Sequence, residues 1–296
     1  MKRIGVLETA AADPDRLALW DIFERRLQEL GHAKGADIDL EFRWAHGRTE
    51  RLAAAAAELV GLKVDVVVTA GTPAAAAASR ATSAVPIVMA TGVGLGTQLT
   101  TGSQQRRSNI TGISDLPPGV SEKRLRLLGE AVSGSALAIL ADRGNPSSPL
   151  ALRETQSAAR SLGVSVKDYW IESASEFAAV LAAMRSDGVA GFVTAPGALF
   201  FAERKALAAL AIGHRLASIT ARREYAEAGC LMAYGAPIRA NYQQAADYVS
   251  QILRGVKPHE LAMAEPATFD FIVNLKSAAA LGLTLPQSLL AGAEKV

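Results

Sequence analysis

Short runs rich in valine and isoleucine alternate, twice over, with longer segments of helical period. That alternation restricts the chain to parallel sheets covered on both faces by helices. In the first series strands are expected over 2–7, 38–44, 64–69, 86–90 and 109–113, and helices over 16–30, 49–60 and from 73–79 onward. Within 16–30, Leu19, Ile22, Phe23, Leu27 and Leu30 share one face, and Gly31 supplies the stop. The pattern pauses over 91–108, which is rich in Gly, Thr, Ser and Gln. A second series follows, with helices over 121–132, 148–162, 175–185 and 202–214 and strands over 136–141, 165–171, 188–194, 216–220 and 230–234. A short helical piece separates the last two strands, and a long helix over 238–254 closes the series. The residues after it, broken by Pro258, Pro266 and Pro286 around one strand at 269–274, fit no third series and are expected to pass back over both lobes.

The chain has 296 residues, half of them apolar, enough for two domains or one large one and too much for a disordered state. Lys and Arg number 31 against 29 Asp and Glu, a net charge of +2. So little excess charge, with no basic block, excludes nucleic acid as the expected partner. A single cysteine, Cys230, leaves no internal disulfide and no cysteine-rich metal site, and its place before an apolar strand favours a buried structural thiol over a nucleophile. His32, His46, His214 and His259 are scattered without metal-ligand spacing, so no metal is expected. Neither a G-x-S-x-G elbow nor a Walker sequence occurs, and no cofactor is expected. No apolar stretch approaches the roughly 20 residues of a spanning helix. The first residues already read as a strand rather than a secretory leader, which implies either a cytoplasmic chain or a leader removed beforehand.

Two α/β lobes with several crossovers suggest a cleft that closes on a ligand. Open α/β sheets place ligands beyond the carboxyl ends of their strands, so the loops there carry the candidate residues. In Thr69-Ala70-Gly71-Thr72-Pro73, Thr72 is expected as the helix N-cap, Pro73 in the first turn, and Gly71 where backbone must be approached closely. Exposed N–H groups there suit a carboxylate, although the same residues also describe a capped helix without a ligand. The stretch Thr91-Gly92-Val93-Gly94-Leu95-Gly96 lacks the dinucleotide spacing and is expected to be an interlobe loop, with Thr91 and Gly92 as contacts. Glu8 and Thr9 end the first strand, where Glu8 is placed to meet an amine or hydroxyl, or water. In the second lobe Asn145 offers an amide, Ser147 or Ser148 a helix cap, and Thr194 a hydroxyl after its strand. Phe200 and Phe201 suit an apolar wall or the core, Tyr234 suits the ligand's apolar part, and Arg222 or Arg223 suits either a second anion contact or plain surface.

Longer motifs resemble a known family. Glu265-Pro266-Ala267-Thr268-Phe269-Asp270-Phe271-Ile272-Val273-Asn274-Leu275-Lys276 and Ala278-Ala279-Ala280-Leu281-Gly282-Leu283-Thr284-Leu285-Pro286-Gln287-Ser288-Leu289-Leu290 are similar to the substrate-binding proteins of bacterial ABC importers, in the tryptophan-transporter-like group. Phe42-Arg43-Trp44-Ala45, Val64-Asp65-Val66-Val67-Val68, Pro86-Ile87-Val88, Asn109-Ile110-Thr111-Gly112, Gly229-Cys230-Leu231-Met232-Ala233-Tyr234-Gly235 and Ile252-Leu253-Arg254-Gly255 follow in the same order.

The resemblance implies an α/β chain of the periplasmic binding protein type 1 fold: two Rossmann-like lobes with parallel sheets joined by a multi-strand hinge. Lobe 1 is expected over 1–113 with about 235–264, and lobe 2 over 114–234 with about 265–296. It also implies a periplasmic, monomeric receptor without catalytic residues, which traps a small solute by hinge closure and delivers it to an ABC permease. The loop matching Gly71-Thr72-Pro73 lies in the cleft of such proteins, and their solutes include amino acids and related aromatic or carboxylated compounds. Here the Asp-Pro pair usual after the fourth strand is replaced by Gly92-Val93-Gly94, the second glycine before Leu-Met is Cys230, and the proline usual in the strand over 216–220 is Ala217. Without that aspartate an α-amino group loses a partner, which favours an aromatic or aliphatic carboxylate unless Glu8 compensates. The alternatives are a cytoplasmic small-molecule sensor, or a two-lobed racemase or isomerase, which would need facing acid–base groups that one Cys and scattered His do not supply.

Overall fold

A computed structural model describes residues 1–93, 109–132 and 136–296. Gly94–Gly96 and the rest of the expected pause up to residue 108 lie outside the described residues. In chain order the elements are β1 (Lys2–Glu8), α1 (Pro14–Glu29), β2 (Ile38–Trp44), α2 (Leu52–Gly61), β3 (Val66–Ala70), α3 (Thr72–Ala81), β4 (Ile87–Thr91), β5 (Ile110–Gly112) and α4 (Val120–Ala131). Next come β6 (Ala136–Asp142), α5 (Ser148–Leu162), β7 (Val166–Ile171), α6 (Phe177–Ser186), β8 (Val189–Thr194), α7 (Ala198–Ala202), α8 (Arg204–Gly213), β9 (Ala217–Thr220) and α9 (Arg223–Glu227). The chain finishes with β10 (Met232–Gly235), α10 (Ile238–Leu253), β11 (Asp270–Val273), α11 (Leu275–Leu281), α12 (Gln287–Ala291) and β12 (Glu294–Lys295).

The first unit comprises Met1–Asp115 and Ile238–Pro266. Its sheet runs β2-β1-β3-β4-β5, every pair parallel, with Ile4 opposite both Leu40 and Val66. Side chains alternate across a strand, so neighbouring apolar residues serve opposite faces. Ile4, Val6, Val68 and Val88 meet Trp20, Phe23 and Leu27 of α1 and Tyr242, Ala245 and Val249 of α10. Leu7, Val67 and Met89 meet Leu52 and Leu59 of α2 and the buried alanines of α3. Continuous apolar strands are the sequence signature of a sheet buried on both sides, and full burial of each large aliphatic side chain contributes roughly 1.5–3 kcal/mol.

The second unit comprises Leu116–Pro237 and Ala267–Val296. Its sheet runs β12-β11-β10-β9-β8-β6-β7 and is parallel except where β10 meets β11. Leu137, Ile139, Val193 and Ile219 pack toward α4 and α5, whereas Ala138, Leu140 and Phe192 pack toward Phe177, Leu181 and Leu207. The α/β class with two mostly parallel sheets is thus the architecture found.

Two segments depart from the expected elements. The helix expected over 202–214 is divided between α7 and α8 at Glu203. The single strand expected after Pro266 is joined by α11, α12 and β12, elements too short to show a period. Their ends nevertheless have local causes. Asn274 caps α11 by accepting from Ser277 N, and Gly282 ends it at φ +70°. Cys230 is fully buried, and burial pushes its thiol pKa up to about 12.

Candidate functional site

In the first unit the strand order reverses direction between β1 and β3, and the loops leaving those strands open a crevice where sheets of this topology place ligands. Thr9 spans that crevice: its N–H and its hydroxyl both donate to Ala70 O, at 3.2 and 2.9 Å. Gly71 N donates to Thr91 O and Oγ1, each at 3.0 Å. Gly71 sits at φ +95°, where an added Cβ would come within 2.7 Å of Thr9 Oγ1, so this position admits only glycine without strain.

Gly71, not Thr72, is the N-cap of α3. Because the helix begins one residue earlier than expected, the Thr72 hydroxyl is released to the β4 loop. There it accepts from Val93 N at 2.8 Å and donates to Val93 O at 3.3 Å. Pro73 has no N–H to place, and Ala75 N donates to Gly71 O. The remaining first-turn donors, Thr72 N–H and Ala74 N–H, have no acceptor among the described residues, although both residues are buried. Buried backbone donors are rarely left this way. Gly92 N donates to Asp115 Oδ2 at 3.1 Å, closing the cluster of Thr9, Gly71, Thr72, Thr91 and Gly92.

Glu8 stands beside this cluster but is turned away from it and from water. Its Oε1 accepts from Ala10 N at 3.0 Å and its Oε2 from Trp20 Nε1 at 3.2 Å. Burial opposes the charge on nearby Arg16, but Glu8 and Tyr242 outweigh it, leaving the guanidinium pKa above its usual value. A solvated Glu8, one of the sequence expectations, is therefore not what the fold provides: the carboxylate serves a buried network.

In the second unit the strand order reverses between β6 and β8, and Asn145 closes the gap. Its Nδ2 donates to Pro196 O at 2.7 Å, and its Oδ1 accepts from both Ser147 N and Ser147 Oγ. Ser147 occupies the N-cap of α5 without capping it through its side chain, because the hydroxyl is drawn to Asn145. Thr194 ends β8 and lines a cavity of ≈ 10 Å³, about one water in size, with Leu116, Ser121, Arg124, Thr155 and Pro196. Burial holds the Asp142 carboxyl above the usual aspartate range, against the Gly144 N–H that it accepts.

Phe200 does not form an open wall: it is fully buried and stacked on Phe177, ring centroids 6.2 Å apart. Phe201 is also buried, under the guanidinium groups of Arg204 and Arg222. Arg222 thus lies on an aromatic face, while Arg223 pairs with Glu294 and Glu227. Tyr234 is half-buried, stacks on Phe269 at 5.6 Å, and accepts from Arg124 Nε through its carbonyl. Arg124, Asp115, Arg16 and Asn241 escaped the sequence reading. All four act across long sequence separations, and only the apolar pattern around them signals burial. Among the described residues no three metal-ligating side chains gather, and no helix is long and apolar enough to cross a membrane.

Comparison with known proteins supplies the context for these two strand-end clusters. The family model described as ABC transporter substrate binding protein matches residues 4–296. Among solved structures, a conserved domain protein from Vibrio cholerae superposes with a TM-score of 0.90 at 22% identity, covering 99% of each chain. An ABC domain from Streptococcus pneumoniae, in complex with L-Trp, gives 0.89 at 22% identity, covering 100% of this chain and 99% of that one. An ABC transporter solute binding protein from Agrobacterium vitis with bound allitol gives 0.65 at 14% identity, covering 98% and 97%. No curated protein matches the chain.

Proposed function

The chain belongs to the ABC transporter substrate-binding proteins, and from that premise we propose that it captures a small carboxylated solute, an aromatic acid, amino acid or related compound, for import. The observation that carries this reading is the pair of N–H groups of the buried residues Thr72 and Ala74, without acceptors among the described residues, at the reversal point of the first sheet. A carboxylate supplies the acceptors these donors lack, and a helix start favours its charge. Thr9, Gly71, Pro73, Thr91 and Gly92 shape the rim, while Thr194 and Tyr234 are the second unit's proposed contacts. Both Glu8 oxygens already hold donors, which supports a carboxylate without an α-amino group over a free amino acid.

The neighbour from Streptococcus pneumoniae holds an amino acid and the one from Agrobacterium vitis a polyol, so the fold accommodates both chemistries. The anion preference rests on this chain's own α3. Closure of the two units on the solute belongs to the same proposal, as do delivery to an ABC permease, a periplasmic location, a monomeric state and the absence of chemistry on the solute. Small-angle scattering reads closure as a smaller radius of gyration on ligand addition.

Thermal-shift screening against aromatic acids, aliphatic acids, amino acids and polyols tests the reading. A solute that binds only the folded form raises stability by about 2.7 kcal/mol at a hundredfold excess over Kd. A shift confined to carboxylates and reduced about tenfold in affinity by Thr72→Val is expected, because Thr72 fixes the loop facing the donors. A shift given only by polyols would overturn the anion assignment.

A further inference from the structure

We propose that Asp115 is a positioning residue that joins the solute-contact loop after β4 to the places where the chain leaves and re-enters the first unit. The inference rests on the solute-capture reading above. Asp115 is the last residue of the unit's first segment, and Ile238 opens its second. Between them the Asp115 carboxylate forms a bridge: Oδ2 accepts from Gly92 N at 3.1 Å, and Oδ1 accepts from Asn241 Nδ2 at 2.8 Å. The backbone adds a return bond, Asp115 N donating to Gly92 O at 2.8 Å.

Neither end of this bridge is loose. Asn241 lies buried in the first turn of α10, next to Tyr242, whose ring meets Trp20 edge-on at 4.9 Å in the core. Gly92 sits against α3: an added Cβ there would lie 3.4 Å from Thr72 N. The third crossing is anchored in the same place. Ser114 N donates to Ala264 O, and Ala264 N donates to Gly112 O, just before the unit ends at Pro266. All three chain crossings are therefore fastened within a few residues of one carboxylate, and that carboxylate holds the amide next to the proposed anion site. A displacement of Gly92 by an arriving solute reaches the start of α10 through two short bonds, the kind of contiguous link that carries coupling.

The test exploits the donor–acceptor order at Asp115 and Asn241. Asp115→Ala removes both acceptors, and Asn241→Asp sets two carboxylates face to face. Adding Asp115→Asn to Asn241→Asp restores a donor opposite an acceptor while keeping an acceptor for Gly92 N–H. By isothermal titration with the acid found in the thermal screen, each single variant is expected to weaken binding about tenfold, with the double variant within about twofold of the parent. Hydrogen exchange without any solute forms the second arm: the peptide opening α10 is expected to exchange faster in each single variant and to recover in the double. Binding and exchange unchanged in the single variants, or a double variant no better than Asn241→Asp, would overturn the assignment. Should the parent protein bind no carboxylate, the solute reading falls, and the exchange arm alone still decides whether Asp115 holds the crossings.

Discussion

Helices α3 and α5 both begin on a small residue, a residue with a hydroxyl and a proline, as Gly71-Thr72-Pro73 and Ser147-Ser148-Pro149, and each follows the strand beside a sheet reversal. In α5 every first-turn amide is used: Ser147 N and Ser148 N donate to Asn145, and Leu150 N and Ala151 N donate to Ser147 O. In α3 two such amides remain without acceptors among the described residues. The difference arises two residues upstream. Asn145 folds back on its helix in an Asx-type turn, whereas the equivalent position before Gly71 is Thr69, still inside β3 and fully buried. A helix start that looks like an anion site in sequence is thus open or closed according to the side chain that precedes it.

The most damaging way to break this contrast is at the glycines. Gly71→Ala forces a Cβ against Thr9 at a left-handed backbone position, and a strain of about 1–3 kcal/mol should appear together with a loss of solute affinity of about a hundredfold by titration calorimetry. Gly197→Ala, at φ −176° and 3.3 Å from the Phe200 ring, should change affinity less than about threefold. Equal losses in the two variants would end the distinction between the units. Asn145→Ala should open the start of α5 by orphaning Ser147 N and Pro196 O, lowering unfolding free energy by about 2 kcal/mol in denaturant titration. If instead affinity falls and stability holds, Asn145 belongs among the solute contacts.

The smallest effect separates the two loops by pH. The strand leading into α5 ends on Asp142, whose pKa burial raises, while the stretch from Thr69 to Pro73 has no titratable side chain. An acid raised in the folded state favours folding below its unfolded pKa and loses that contribution as pH climbs through the raised value. Asp142→Asn should therefore flatten a slight decline in melting temperature just above the ordinary aspartate range. An unchanged profile would place that titration elsewhere.

Sequence periodicity disclosed most of the architecture because each strand and long helix carries its own signal. β2 and α5 occupy the residues that alternation and helical period assign to them. It could not disclose that β11 runs antiparallel to β10, since strand direction depends on the partner and leaves no mark in a single run. Strand-end loops are legible because topology alone sends them to the ligand side. The hydrogen bonds within them are not: Glu8 with Trp20, Thr72 with Val93 and Asp115 with Asn241 are choices among rotamers made by tertiary packing. The resemblance to importer receptors drew on motifs along nearly the whole chain, and the family match over residues 4–296 agrees with it.

Both units borrow from the end of the chain. Before Ile238 has been synthesised, α1 and the sheet face it covers lack Tyr242, Ala245 and Val249. Until Asp270–Val273 emerge, the second sheet stops at β10 with an unpaired edge, because β11 is the strand that pairs with it there. A nascent chain still on the ribosome therefore carries two unfinished cores at once, and neither can lock early. Loss of everything from Ile238 onward would consequently disable both halves together, whereas loss of Ala267–Val296 alone would spare the segments of the first.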